Sequence, residues 1–82
     1  MKKYYLINYC AEGAGDNAVK ELADKLQKNF DTCVKLEQCE STFLVSTTDT
    51  TISAGDVWLM AYTKGVWVVP MKVSETKASN LR

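Results

Sequence analysis

Hydrophobic and polar residues follow a helical period in one segment of the chain. From Asp16 onward the apolar positions form a single stripe with i, i+3, i+4, i+7 and i+11 spacing. They are Val19, Leu22, Ala23, Leu26 and Phe30. Asp16 is a suitable N-cap for this helix. The opposite side carries acid–base pairs four residues apart, which is typical of a solvated outer face.

The remaining apolar segments have the composition of β-strands. The segment Lys3–Tyr9 is predicted to form the first strand. Alternation along it separates two sets of side chains, Tyr5, Ile7 and Tyr9 on one side and Tyr4, Leu6 and Asn8 on the other. Cys33–Gln38 and Ser41–Thr47 predict two strands after the helix, and the second is rich in β-branched and aromatic residues. The polar stretch Thr48–Gly55 predicts a turn, too short for a full helix.

The segment Asp56–Val73 is apolar on both sides of a short polar interruption, which predicts a hairpin of two further strands. The loop would be residues 63–65, with Gly65 in the left-handed conformation of a type I turn with a G1 bulge. In this register Trp58 lies opposite Pro70, and Trp67, Val69 and Met71 share a face. Because Pro70 has no backbone donor, we expect the last strand at a sheet edge.

These elements predict an α+β domain of the ferredoxin-like, split β-α-β type. One helix packs on a mixed sheet of about five strands that ends in the β-hairpin. Residues 1–73 would form this single domain, and residues 74–82 a polar, flexible tail with little to bury. A helix covers only about two strands. The sheet must therefore either curl into a half-barrel or be covered by a second chain, and we favour the second chain.

The charge composition argues against several classes of partner. The 82 residues include ten basic and ten acidic side chains. This balance lacks the positive footprint of general nucleic-acid or membrane-surface binding. The chain has no recognisable targeting signal and no apolar run of about 18 residues that would span a membrane. We therefore expect a cytoplasmic protein with no membrane contact.

The sequence offers little catalytic chemistry. It has no histidine, so the usual general base and metal ligand are both missing. The three cysteines are expected to be free and mostly buried. Cys10 is a poor candidate nucleophile because the chain has no histidine to serve as its base. We predict no catalytic residue, no metal site and no cofactor.

Three stretches resemble a known family. They are "KKYYLINYC", "KLEQCESTFLVST" and "GDVWLMAYTKGVWVV". Together they resemble the small ferredoxin-like nuclease of CRISPR adaptation and its stand-alone relatives, over most of residues 2–70. The resemblance implies a ferredoxin-like fold and a dimer habit. That family's first strand typically ends in Tyr-Asp with a metal-binding carboxylate, whereas this chain has Tyr9-Cys10. The second helix that this family has between strands three and four would have to fit within Thr48–Gly55, where there is no room for it. The nuclease activity is therefore not carried over.

The function predicted from these observations is that of a small, non-enzymatic interaction protein. It would act through an aromatic sheet surface, as a homodimer that binds or inhibits a larger intracellular protein. Trp58, Tyr62 and Trp67 are the predicted partner-binding anchors, since aromatic residues dominate interface energetics. One alternative is a divergent nuclease with Mg²⁺ held by Glu12 and Asp16. Another is a single-stranded nucleic-acid platform, with bases stacked on Tyr4, Tyr5 and Trp67.

Overall fold

The protein has an α+β fold built on a four-stranded antiparallel sheet. The computed structural model describes residues 2–37 and 39–81. Within them the elements follow one another as β1 (Lys3–Cys10), α1 (Asp16–Asn29), β2 (Thr32–Lys35), β3 (Thr42–Thr47), α2 (Ala54–Ala61), β4 (Trp67–Val73) and α3 (Glu75–Leu81). The prediction of five strands and one helix was therefore wrong, because the described residues form four strands and three helices.

The strands lie in the order β2-β3-β1-β4, and every neighbouring pair is antiparallel. β3 lies between β2 and β1, and the prediction of a mixed sheet is wrong. β4 is an edge strand, as expected from Pro70. The strand predicted to extend to Gln38 ends at Lys35, and Gln38 itself lies outside the described residues.

The predicted hairpin is wrong in its first half, which forms helix α2 instead. Ser53 and Asp56 make a capping box at its N-terminus. The Asp56 backbone N–H donates to Ser53 Oγ at 3.2 Å, and the Ser53 N–H donates to Asp56 Oδ2 at 2.9 Å. Val57 and Ala61, one turn apart, are both fully buried. A capped segment that buries two residues in this way is more stable as a helix than as a strand.

The turn of the predicted hairpin and its second strand, which is β4, are confirmed. Gly65 has φ 83°, and Thr63 and Val66 form an isolated bridge around it. The helix α2 starts at the end of the stretch Thr48–Gly55 and continues through residues assigned to the hairpin. The segment between β3 and β4 therefore has room for a second helix after all.

Helix α1 spans the predicted region but differs from the prediction at its N-cap and in its buried side, where Ala18 is buried and Val19 is half-buried. It buries Ala18, Leu22 and Leu26, and Phe30 follows its last turn, also buried. The N-cap is Gly15 rather than Asp16, with φ 85° and no side-chain capping hydrogen bond. Gly15 adopts this left-handed conformation at no steric cost, and the acidic Asp16 lies in the first turn, where the helix dipole favours it.

Helices α1 and α2 pack on one face of the sheet, which we call the helix face. The core between them includes Tyr5 and Ile7 from β1, Phe43 and Val45 from β3 and Val68 from β4. Side chains of α1 also form hydrogen bonds with the C-terminus of α2. Lys25 Nζ donates to the Tyr62 carbonyl at 2.6 Å, and Asn29 Nδ2 donates to the Met60 carbonyl at 3.4 Å.

Helix α3 packs on the other face of the sheet, which we call the open face. Ala78 is fully buried there in a second cluster with Tyr4, Leu44 and Val73. The Lys77 backbone N–H donates to Ser74 Oγ at 3.1 Å at the start of this helix. We expected a polar tail with little to bury from residue 74. Instead, residues 75–81 form a helix that covers part of a sheet face.

Candidate functional site

The open face of the sheet carries no charged residue on any of the four strands. The strand registers place thirteen side chains on it, namely Tyr4, Leu6, Asn8, Cys10, Thr32, Val34, Thr42, Leu44, Ser46, Trp67, Val69, Met71 and Val73. All three charged residues of the strands, Lys3, Lys35 and Lys72, belong to the helix face. A solvated face of an antiparallel sheet normally carries polar side chains at alternate positions. This face has the composition of a contact surface.

Three exposed apolar side chains form a row on β4, and Val34 on β2, at the opposite edge of the sheet, is also exposed, at 45%. Trp67 is 73% exposed, Val69 46% and Met71 50%. They occupy alternate positions and so point the same way, and we call them the β4 strip. Their partners on β1 are Cys10, Asn8 and Leu6, in that order. The strip is therefore apolar, unbroken and located at the edge of the sheet.

A second apolar surface lies on α2, on the opposite side of the sheet. Trp58, Leu59 and Tyr62 are all exposed, Leu59 by 65%. The rings of Trp58 and Tyr62, one helical turn apart, have centroids 5.6 Å apart with a 54° angle between their planes. This tilted geometry is one that aromatic pairs prefer. We call these three residues the α2 patch.

The structure brings two of the three predicted anchors together and separates the third. Trp58 and Tyr62 are neighbours in the α2 patch, while Trp67 lies in the β4 strip on the opposite face. Sequence reasoning did not select Val69 and Met71 as site residues, although it placed them on one face with Trp67. The alternation Trp-x-Val-x-Met in β4 was the signal that could have found them. Leu59 was missed because α2 was read as a strand.

The residues of the nucleic-acid alternatives do not assemble into a site. Tyr4 and Tyr5 are buried, at 6% and 2% exposure, so Trp67 is the exposed member of that trio. Glu12 and Asp16 lie on the surface around the start of α1. Among the described residues, no group of three or more His, Cys, Asp or Glu side chains is placed to hold a metal ion.

The three cysteines are free, as predicted, but they are not mostly buried. Cys10 and Cys39 are exposed, and Cys33 is half-buried. Burial raises the pKa of the Cys33 thiol, which favours its neutral, unreactive form. Cys10 lies on the open face, opposite Trp67 in the register of β1 and β4.

Lys35 covers two aromatic rings at the end of the helix face near β2. Lys35 Nζ donates to Tyr9 Oη at 2.8 Å and lies 5.4 Å and 5.7 Å from the ring centroids of Tyr9 and Phe43. These two rings stack with centroids 5.4 Å apart. The lysine thus covers an aromatic pair at the rim of the core, which is a structural role.

Comparison with known proteins finds no match for this chain. It matches no protein-family model, no curated protein and no solved structure. Among the described residues, no helix is long and apolar enough to cross a membrane.

Proposed function

We propose that this chain is a non-enzymatic interaction protein that works as a homodimer and binds or inhibits a larger cytoplasmic protein. We assign its fold to the ferredoxin-like type, which is supported by the element order β-α-β-β-α-β and by β3 lying between β1 and β2. The resemblance to the CRISPR-adaptation nucleases gains support from α2, the second helix that it implies. Cys10 still stands where that family has its aspartate.

The observation that carries the proposal is the open face, which has no charged residue on its strands and is exposed at Trp67. A tryptophan that is 73% exposed, next to Val69 and Met71, leaves a large apolar area in contact with water. Depletion of charge around exposed aromatic and methionine side chains is the compositional signature of protein interfaces. Contact with another protein removes this area from water and stabilises the complex.

The α2 patch supports a second contact, with a different protein. Trp58 and Tyr62 present two large rings on a short helix whose two ends are fixed, by the Ser53 cap and by Lys25. Rigid aromatic side chains lose little conformational entropy on binding, so they are effective anchors. We assign the contact with the larger protein to this patch.

The placement of charge argues against nucleic acid as the partner. Binding to a phosphate backbone relies on Lys and Arg side chains next to the stacking surface. Lys3, Lys35 and Lys72 of the strands belong to the helix face, away from Trp67. The four strands therefore supply no cation on the open face that would hold RNA or DNA against it.

The proposal is tested by affinity isolation from an extract of the source cells. The wild-type chain, a Trp58→Ala/Tyr62→Ala variant and a Lys20→Ala control are used as bait. Lys20 is exposed on α1. We expect one larger protein to be retained by the wild type and the control, and to fall at least about 10-fold with the double variant.

Two results would contradict the proposed function. One is that no retained protein distinguishes the double variant from the control. The other is Mg²⁺-dependent cleavage of RNA or DNA by the purified chain that disappears in a Glu12→Gln/Asp16→Asn variant.

A further inference from the structure

We propose that the homodimer forms by face-to-face packing of the β4 strips of two copies, about a two-fold axis through Val69. Trp67 of each copy then packs against Met71 of the partner subunit. This inference rests on the proposed function but concerns only the β4 strip and a second copy of this chain. The α2 patch and the larger protein play no part in it.

The absence of charge on the open face favours a second copy as the occupant. In a two-fold interface the same patch meets itself, so every charged residue near the axis faces an identical charge. A surface used in this way must be neutral or carry paired charges. The open face carries no charged residue on any strand, and its exposed polar member beside the strip is the neutral Asn8.

The spacing of the β4 strip makes it complementary to itself. Trp67 and Met71 lie two residues on either side of Val69, about 6.8 Å along the strand in each direction. A two-fold axis through Val69 superimposes the Trp67 position on the Met71 position of the partner subunit. The small central valine allows the strands to approach, and each indole meets a thioether, a favourable sulfur–aromatic contact.

The area of the strip predicts a weak dimer. From the size of the three side chains and their exposure, the strip presents roughly 300–400 Å² of apolar surface, which is within the range of the largest patch on a typical monomer. A standard interface buries about 800 Å² on each partner. Leu6, Asn8 and Cys10 extend the strip on one side, and α3 limits it beyond Val73. The dimer should therefore dissociate on dilution through the micromolar range.

The face, rather than the free edge of β4, is the route of association. An edge strand can pair with a strand of another chain through its free backbone groups. Pro70 stands in the middle of β4, opposite Ile7, and has no N–H to offer to an added strand. A continuous intermolecular sheet through this edge would lack a hydrogen bond at its centre, whereas face packing needs none.

The proposed dimer leaves the α2 patch available on both copies. Val68 points into the core beneath α1 and α2, so Trp67 and Val69 point to the other side of the sheet. The α2 patches therefore lie on the outer surfaces of the dimer. Two identical anchors on one particle give a bivalent binder, which gains avidity when both are engaged.

Complementary charge substitutions in the strip test this arrangement. Trp67→Lys and Met71→Asp each place two uncompensated charges in their own homodimer. Mixed in equal amounts, the two variants can form a heterodimer with one native Trp67–Met71 contact and one lysine–aspartate pair. Sedimentation equilibrium or light scattering from about 5 to 500 µM gives the dissociation constant of each sample.

We expect the wild type to dimerise with a Kd that changes less than about threefold between 50 and 500 mM NaCl, because no charges are paired. Each charged variant should raise the Kd at least about 30-fold. At low salt, an equal mixture of the two variants should have a Kd at least about 10-fold lower than that of either variant alone. Lys20→Ala is the control, because Lys20 is exposed on α1 and belongs to neither apolar surface, and it should leave the Kd unchanged. Circular dichroism establishes that each variant is folded.

The inference is overturned if the wild type is monomeric at 500 µM, if folded charged variants dimerise like the wild type, or if the mixture stays monomeric. A monomer that still retains the larger protein through Trp58 and Tyr62 would overturn the face-to-face dimer and leave the binding function in place. A dimer that retains no such protein would overturn the binding function and leave the face-to-face dimer in place.

Discussion

The two faces of the sheet differ more in their charge than in their hydrophobicity. The helix face is closed by α1 and α2, and Ile7 and Val45 at its centre are completely buried. Charged residues nevertheless border it, and Lys3 Nζ donates to the Ile52 carbonyl at 3.1 Å. The open face has no charged strand residue, yet α3 covers only part of it and Trp67 remains 73% exposed.

The difference shows how a small domain can use one face of its sheet for stability and the other for contact with another protein. A lysine at the rim of a closed core can lay its aliphatic stem over apolar side chains and keep its ammonium group in water. Such residues add solubility without opening the core. On a surface that meets another protein, the same lysine would have to be desolvated. The face without charges is therefore the one suited to contact.

The largest effect should come from a cavity on the helix face. Leu22 lies on the inner side of α1 and is completely buried. Leu22→Ala should therefore lower the free energy of unfolding by about 2–5 kcal/mol. Met71→Ala on the open face is the matched comparison and should change the stability of the monomer by less than about 0.5 kcal/mol. Urea denaturation at low protein concentration measures both. Equal losses in the two variants would remove the distinction between the faces.

The next effect concerns the covered part of the open face. Ala78 is completely buried beneath α3, whereas Ser79 beside it is exposed. Ala78→Asp should release α3, because a buried carboxylate without a partner is costly, and should destabilise the fold by about 1–3 kcal/mol. Dye binding to newly exposed Tyr4, Leu44 and Val73 should increase.

The control for that experiment is Ser79→Asp, which adds the same charge to the exposed side of α3. It should leave both stability and dye binding unchanged. If the two aspartate variants behave alike, α3 is not held on the open face by Ala78.

The sequence was informative where hydrophobic periodicity is strong. The stripe through Leu22 and Leu26 located α1, and the alternation along β1 assigned its side chains to the correct faces. Helix α2 was misread because residues 57–62 are apolar at nearly every position, and a short run of this kind has no period that separates helix from strand. The pattern Ser53-x-x-Asp56 was the missing signal.

Helix α3 could not be found in the same way. Ala78 and Leu81 are its apolar residues, so it has no amphipathic pattern of its own. A seven-residue helix is marginal in isolation, and α3 owes its stability to packing on the open face.

A smaller effect is expected at the cap of α2. Ser53→Ala removes the acceptor for the Asp56 backbone N–H and should cost about 1 kcal/mol, or roughly 4–8 °C in Tm for a domain of this size. Thr50→Ala in the preceding turn is the control and should shift Tm by much less. Since α2 carries Trp58, the change in Trp fluorescence on heating should follow the same transition. A loss no larger than that of the control would mean that the cap does not stabilise α2.

The smallest effect should be a pH dependence from the same cap. Hydrogen bonds from the Ser53 backbone N–H and hydroxyl lower the pKa of Asp56. A lowered pKa in the folded state means that the stabilisation is complete above the pKa of the unfolded chain and is lost as the pH falls through the folded value. The Tm should therefore decrease below about pH 4.

Asp56→Asn should weaken that decrease between pH 5 and pH 3, by an amount smaller than the effect of Ser53→Ala. The pKa of Asp49 is also lowered, by hydrogen bonds from the side chain and backbone of Thr51, so Asp49→Asn is the necessary comparison. Both positions should contribute, because each carboxylate accepts a backbone N–H in the folded state. An Asp56→Asn variant with the wild-type pH profile would show that the capping box does not depend on the charge of Asp56.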